Sequence, residues 1–190
     1  RNYRFIMETP RKMHLQTRIV LSMTIILIIL GTLAIMLFEH YTGQSDSYSG
    51  GIAGAFFQSV TARTAGFNTV DIDSLSSPGK FLLIILMFVG GSPGSTAGGI
   101  KTATLAVVIL TVVASLRKRN EVEIFKRSIR LVVVGRAITV TFLFIFVLLA
   151  ASLTLTLTES VNGFKMADIV FEAASALGTV GLSTGITSSL

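Results

Sequence analysis

Ile52 to Thr69 reads IAGAFFQSVTARTAGFNT, and Ala167 to Thr184 reads ADIVFEAASALGTVGLST. Each opens on an apolar, helix-like stretch of about ten residues, half the length an α-helix needs to cross a hydrocarbon core of roughly 30 Å. Each then enters a short loop, Thr64-Ala65-Gly66-Phe67-Asn68-Thr69 in the first copy and Thr179-Val180-Gly181-Leu182-Ser183-Thr184 in the second. At a constant offset of 115, Phe56 pairs with Phe171, Thr64 with Thr179, Gly66 with Gly181 and Thr69 with Thr184. Segments too short to cross, recurring at one place in a larger repeat, predict re-entrant helices and loops.

The surroundings of both copies are membranous. Ile19 to Phe38 carries no charge for about twenty residues, longer than the apolar region of a signal peptide, and predicts a spanning helix. Phe81 to Leu116 is apolar but too long for one simple span, and its middle is Gly90-Gly91-Ser92-Pro93-Gly94-Ser95-Thr96-Ala97-Gly98-Gly99, which must break the helix inside the membrane. Leu131 to Leu157 predicts a further span. Basic residues precede the first span (Arg1, Arg4, Arg11, Lys12, Arg18) and separate the second from the third (Arg117, Lys118, Arg119, Lys126, Arg127, Arg130), which puts both clusters on the cytoplasmic side. Asp46, Asp71 and Asp73 then lie outside. The organisation expected is an all-α membrane protein in three parts. A first pore repeat over 1–116 holds a cytoplasmic lead-in, a span over 19–38, a pore helix over 52–63, a filter loop over 64–69 and a broken span over 80–116. A basic cytoplasmic linker covers 117–130. An incomplete second repeat over 131–190 holds a span over 131–157, a pore helix over 166–177 and a filter loop over 178–184.

Composition agrees with this and removes other classes. The chain is 51% hydrophobic and 14% charged with a mean hydropathy of +0.75, outside the range of ordinary soluble domains. The net charge of +6 is confined to two clusters between apolar runs, which argues against a nucleic-acid partner. There is no cysteine, so disulfides and thiolate chemistry are excluded, and His14 and His40 are too few for a metal or triad site. No enzyme is expected.

Irregular backbone at membrane depth is tolerated only where protein buries it or where it lines a watery cavity. Glycine lets such a loop aim successive carbonyls at one axis, where they replace the hydration shell of a monovalent cation. The C-terminal, negative end of each short helix points at its loop and favours a cation there. Other readings stand beside this one. A short apolar helix is also the form of an interfacial amphipathic helix, and a Gly-rich stretch is also a helix-packing surface. Lys101 suits either a gate charge or a snorkelling side chain. Arg63 is expected to cap the first short helix or to hold nearby carbonyls. Glu39, His14, His40 and Glu172 read as ordinary interfacial or pore-helix residues. Re-entrant loops also occur in neutral-solute channels and secondary transporters, and a basic loop alone would serve a non-conducting scaffold.

Four stretches carry a family likeness: HLQTRIVL at His14 to Leu21, TARTAGFNTVDI at Thr61 to Ile72, GGSPGSTAGGIKT at Gly90 to Thr102 and ALGTVGLSTGIT at Ala176 to Thr187. Together they resemble the Trk/Ktr/HKT superfamily of cation transporters, and within it the KtrB membrane subunits of bacterial Ktr potassium uptake systems. The resemblance implies repeats of helix, pore helix, filter loop and helix around one pore, a covalent version of a tetrameric potassium channel. This chain resembles the third repeat in full and the fourth up to its filter, so the other half of the filter is expected from elsewhere. Potassium would then meet the backbone carbonyls of Thr64, Ala65, Gly66, Phe67, Thr179, Val180, Gly181 and Leu182. Gly90, Gly91, Ser92, Gly94, Ser95, Thr96, Gly98, Gly99 and Lys101 would form the gating intramembrane loop. The likeness further implies a multi-pass protein of the bacterial plasma membrane, surrounded by lipid and dimeric. It would rest through Arg117 to Arg130 on a cytosolic ring of nucleotide-binding regulatory subunits, with no covalent cofactor of its own. Phe67 and Leu182 stand where a potassium channel carries Tyr, so potassium over sodium follows from the family and not from the spacing.

Overall fold

The computed structural model describes residues 15–43, 50–118, 121–124, 127–159 and 164–186. Arg1 to His14, Asp46, Arg119, Lys126 and Thr187 to Leu190 lie outside the described residues. Among the described residues six helices follow in order: α1 (Leu15–Tyr41), α2 (Gly51–Thr61), α3 (Ser77–Phe88), α4 (Thr102–Leu116), α5 (Leu131–Glu159) and α6 (Met166–Leu177). Between α4 and α5 sits an antiparallel hairpin of β1 (Glu123–Ile124) and β2 (Arg127–Ser128). That hairpin lies within the stretch read from sequence as a basic linker.

At 1.5 Å per residue α1 and α5 are each about 40 Å long, enough to cross a bilayer. Helix α1 turns Leu21, Ile25, Ile29 and Leu33 outward and buries Gly31, Ile35 and Glu39, one residue per turn, on its inner face. Lipid tails are as apolar as leucine, so burial alone does not hold such helices together; close packing at small residues does. Gly31 shows this. A Cβ there would be driven into Ser59 of α2 and would lie 3.1 Å from Leu86 Cδ1 of α3. Ser59 Oγ meanwhile donates to the Ile28 carbonyl at 3.1 Å. The core gathers Ile35, Ala55, Leu83, Met87 and Phe171 around the two short helices and includes Val180 and Leu182 of the second loop. A smaller cluster of Val107, Ala114, Val122, Val134 and Ala137 fastens α4, the hairpin and α5.

The long apolar run after residue 77 is two helices. Ser76 starts α3, its side chain accepting from Gly79 N–H at 3.1 Å, with Pro78 in the first turn. Val89 is extended, the chain loops through Gly90 to Gly99, and α4 begins at Thr102.

Candidate functional site

The two loops reach the same place by the same backbone path. Thr64 (φ 70°) and Gly66 (φ 75°) are left-handed in the first, and Thr179 (φ 52°) and Gly181 (φ 86°) in the second, while Ala65 and Val180 between them keep negative φ. Reversing the sign of φ at alternate residues departs from the strand pattern, where carbonyls alternate sides, and lets successive carbonyls face one way. A threonine in this region costs about 1–2 kcal/mol, so both loops are held against strain. The loops also touch. A Cβ built on Gly66 would run into the Val180 carbonyl oxygen and lie 3.4 Å from Gly181 Cα, and one built on Gly181 would lie 3.5 Å from Gly66 Cα. The residues beyond the glycines diverge: Leu182 is 2% exposed in the core, Phe67 70% exposed.

Hydrogen bonds show which residues correspond between the copies. Thr61 Oγ1 accepts from Phe67 N–H at 2.9 Å and donates to the Phe67 carbonyl at 2.7 Å. In the second copy it is Ser175 whose hydroxyl donates to the Leu182 carbonyl. Gln58 Nε2 donates to the Val70 carbonyl at 3.4 Å, and Glu172 takes the Thr184 N–H at 2.8 Å. The helices therefore correspond at an offset of 114 and the residues just past the filter-candidate glycines, Phe67 and Leu182, at 115, with one extra residue in the second copy between Ser175 and Val180; the partners of Gln58 and Glu172, Val70 and Thr184, are again 114 apart. The ungapped pairing of Phe56 with Phe171 gives way to Phe57 with Phe171. Helix α2 ends at Thr61, two residues short of the expected end, as the chain turns toward left-handed Thr64.

Against the second loop lies the glycine-rich break. Its neck is a parallel bridge of Val89 with Ile100, where Gly90 N–H donates to Ile100 O at 2.9 Å, Ile100 N–H to Phe88 O at 3.0 Å and Thr102 N–H to Gly91 O at 3.1 Å. Gly90 and Gly98 pack backbone to backbone with no room for a Cβ on Gly90, and Gly99 turns at φ 67°. Gly98 N–H donates to Thr179 Oγ1 at 2.8 Å, so the loop is docked on the second filter candidate. Lys101 folds back, donating to the Ser95 carbonyl at 3.1 Å and to the Ala97 carbonyl. It stitches its own loop together. Arg63 Nη2 reaches Thr24 Oγ1 and the Gly90 carbonyl, both at 3.5 Å. A cavity of about 460 Å³ opens between loop and filter candidates, lined by Thr64, Gly91, Ser92, Ser95, Thr96, Ala97 and Thr179. Among the described residues no carboxylate lines it, and the lining offers hydroxyl and carbonyl oxygens. Gly94 sits at the far tip, with nothing within 4 Å of where its Cβ would be.

Sequence reasoning missed a polar cluster on the other side. Glu39 is 2% exposed, its carboxylate accepting from Ser76 Oγ at 2.7 Å and Ser76 N–H at 3.2 Å at the N-terminus of α3, where a helix dipole favours an anion. Lys80 bridges Asp73 at 2.8 Å and Asp168 of α6 at 3.2 Å, tying the two copies together. The Lys80 hydrogen bond and its charge hold the Asp73 carboxyl below its ordinary value. A lone Lys at the edge of an apolar run, and a Glu in the last turn of a span, were the available signals.

Half-length helices that deliver paired left-handed loops to one point beside a glycine-rich helix break define a membrane protein with re-entrant loops. The chain belongs to the TrkH family of cation transport proteins, whose family model matches residues 1–190. It is 36% identical over 181 residues to the Ktr system potassium uptake protein B of Vibrio alginolyticus, covering 94% of this chain and 39% of that protein. It is also 36% identical over 185 residues to the potassium/sodium uptake protein NtpJ of Enterococcus hirae, covering 95% and 41% respectively. The crystal structure of the potassium transporter TrkH from Vibrio parahaemolyticus has the same fold, with a TM-score of 0.63 at 23% identity over 90% of this chain and 38% of that one. The chain spans about two fifths of the length of these relatives.

Proposed function

We propose that this protein supplies half of the conduction pathway of a potassium uptake system in the bacterial plasma membrane. Monovalent cations pass down their electrochemical gradient through the backbone carbonyls of residues 64–67 and 179–182, and the loop over residues 90–101 gates the path from below. The observation that carries this reading is the contact of Gly66 with Gly181, in loops of matching handedness. The relatives named for potassium, or for potassium and sodium, support a cation as the cargo. In this reading the membrane subunit is dimeric. It contacts a cytosolic nucleotide-binding ring through the basic segment from Arg117 to Arg130, which contains the hairpin. The protein carries no cofactor of its own, and nucleotide belongs to the ring.

The test is rubidium uptake into liposomes holding the full-length protein, with sodium and an uncharged solute as competitors. Gly181→Asp puts a side chain and a charge between the loops and is expected to abolish uptake that sodium competes for weakly and the solute not at all. Unchanged uptake by the inserted variant overturns the filter assignment. Competition by the uncharged solute would instead favour a neutral-solute channel.

A further inference from the structure

Gln58 and Thr61 stand three residues apart on α2, and Glu172 and Ser175 have the same spacing on α6, so each pair shares one face of its helix. The second member holds the residue just past the filter glycine in both copies: Thr61 takes the N–H and the carbonyl of Phe67, and Ser175 takes the carbonyl of Leu182. The first member reaches the loop twelve residues ahead in both copies, with opposite chemistry. Gln58 donates one long bond, 3.4 Å from Nε2 to the Val70 carbonyl. Glu172 Oε1 accepts three: Ser183 Oγ at 2.6 Å, Thr184 N–H at 2.8 Å and Thr184 Oγ1 at 3.1 Å.

We propose that Gln58 and Glu172 are positioning residues that hold the far ends of the two filter loops, and that the Glu172 brace sets how strictly the second loop discriminates among cations. This rests on the filter reading above. A cage of carbonyls selects by the number and field strength of the oxygens it presents at a given width, so a loop that can contract presents a usable cage to a smaller ion. The brace resists contraction. A carboxylate has only acceptor sites, and hydrogen bonds to it are shorter and about twice as strong as those between neutral groups. Three of them converge on one oxygen behind the second loop, against one amide bond behind the first. The far end of the second loop is therefore held more firmly than that of the first, and Glu172 is its fixed point.

The experiment measures rubidium influx into proteoliposomes of the full-length protein, reading the sodium concentration that halves it. Glu172→Ala is expected to lower that concentration about tenfold, the equivalent of losing one charged hydrogen bond's worth of discrimination. Glu172→Gln, whose amide oxygen still accepts the Thr184 N–H, is expected to fall between. A role in folding alone would change how much protein is inserted and leave the sodium value where it was. Alanine and wild-type proteins halved at the same sodium concentration overturn the proposal. If Glu172→Ala does not insert, the double variant Ser183→Ala/Thr184→Val removes two donors and keeps the acid. A smaller shift in the same direction supports the brace, and an unchanged value overturns it. Failure of the filter reading shows separately, as undiminished influx in Gly181→Asp.

Discussion

Gly66→Ala adds a single methyl group at the point where the two loops meet, and two independent costs follow. Alanine at φ 75° sits in the left-handed region, at about 1–2 kcal/mol. Its Cβ also overlaps the Val180 carbonyl oxygen and lies 3.4 Å from Gly181 Cα, both backbone atoms that no rotamer change can move aside. Overpacking of that kind costs about 1–3 kcal/mol. Together they come to about 2–5 kcal/mol, more than tenfold on any equilibrium that keeps the loops in contact. The strain falls on the Val180 carbonyl, one of the proposed ligands, so ion binding should suffer before insertion does. A control separates the two costs: Gly43 has a similar φ of 69° but nothing within 4 Å of its Cβ position, so Gly43→Ala bears the conformational penalty alone. In rubidium influx normalised to reconstituted protein, Gly66→Ala should lose at least about tenfold while Gly43→Ala stays near wild type. Equal influx in wild type and both variants would refute the close approach of the loops.

Gly98→Ala tests the docking of the lower loop. Its Cβ would lie 2.5 Å from the Gly178 carbonyl oxygen and 2.6 Å from Thr179 Oγ1, so the loop must lift and the bond to Thr179 must stretch. Influx should rise severalfold if the loop obstructs the path, and unaltered influx at equal protein removes that role. The Asp73–Lys80 pair makes a pH prediction. Because the folded carboxyl is held below its ordinary value, its contribution is complete above that ordinary value and is lost as pH falls through the lowered one. Asp73 is 71% exposed, so solvent screens the pair and the effect stays under about 1 kcal/mol. Asp73→Asn should unfold at a slightly lower temperature than wild type in detergent at pH 7. The difference should close in strong acid, and one that widened there would contradict the sign.

Much of the fold is legible in the chain because the bilayer imposes a length rule. A charge-free run of about twenty residues must cross, a run of about ten cannot, and Gly-Gly-Ser-Pro cannot continue a helix. The spans, the short helices and the break after Phe88 all follow from that rule, and the TrkH family from four short motifs. Other features leave no such trace. The hairpin at 123–128 has two residues per strand, too few for any alternation to register. Glu39 and Lys80 look like interfacial charges until the fold brings Ser76 to one and Asp168 to the other, across 37 and 88 residues of sequence. The braces were hidden for a different reason. An ungapped offset of 115 sets Gln58 against Ala173 and Thr61 against Ala176, which erases the pattern of polar residues three apart that the two helices share.

That one-residue difference also explains why the lower loop treats the two copies unequally. Between Thr61 and Ala65 the first copy has Ala62, Arg63 and Thr64; between Ser175 and Val180 the second has Ala176, Leu177, Gly178 and Thr179. The longer connection carries α6 on to Leu177 and presents the Gly178 carbonyl and the Thr179 hydroxyl to Gly98. In the shorter one, Arg63 extends a guanidinium to the Gly90 carbonyl instead. The glycine-rich break is thus held at its start by an arginine of the first copy and near its end by a threonine of the second. A strict duplication would offer the loop two equivalent contacts and no preferred seat. An extra residue at one helix end gives it a single seat, the Thr179 hydroxyl on the second candidate loop, so a movement of the glycine-rich loop away from that seat must stretch or break the Gly98–Thr179 hydrogen bond.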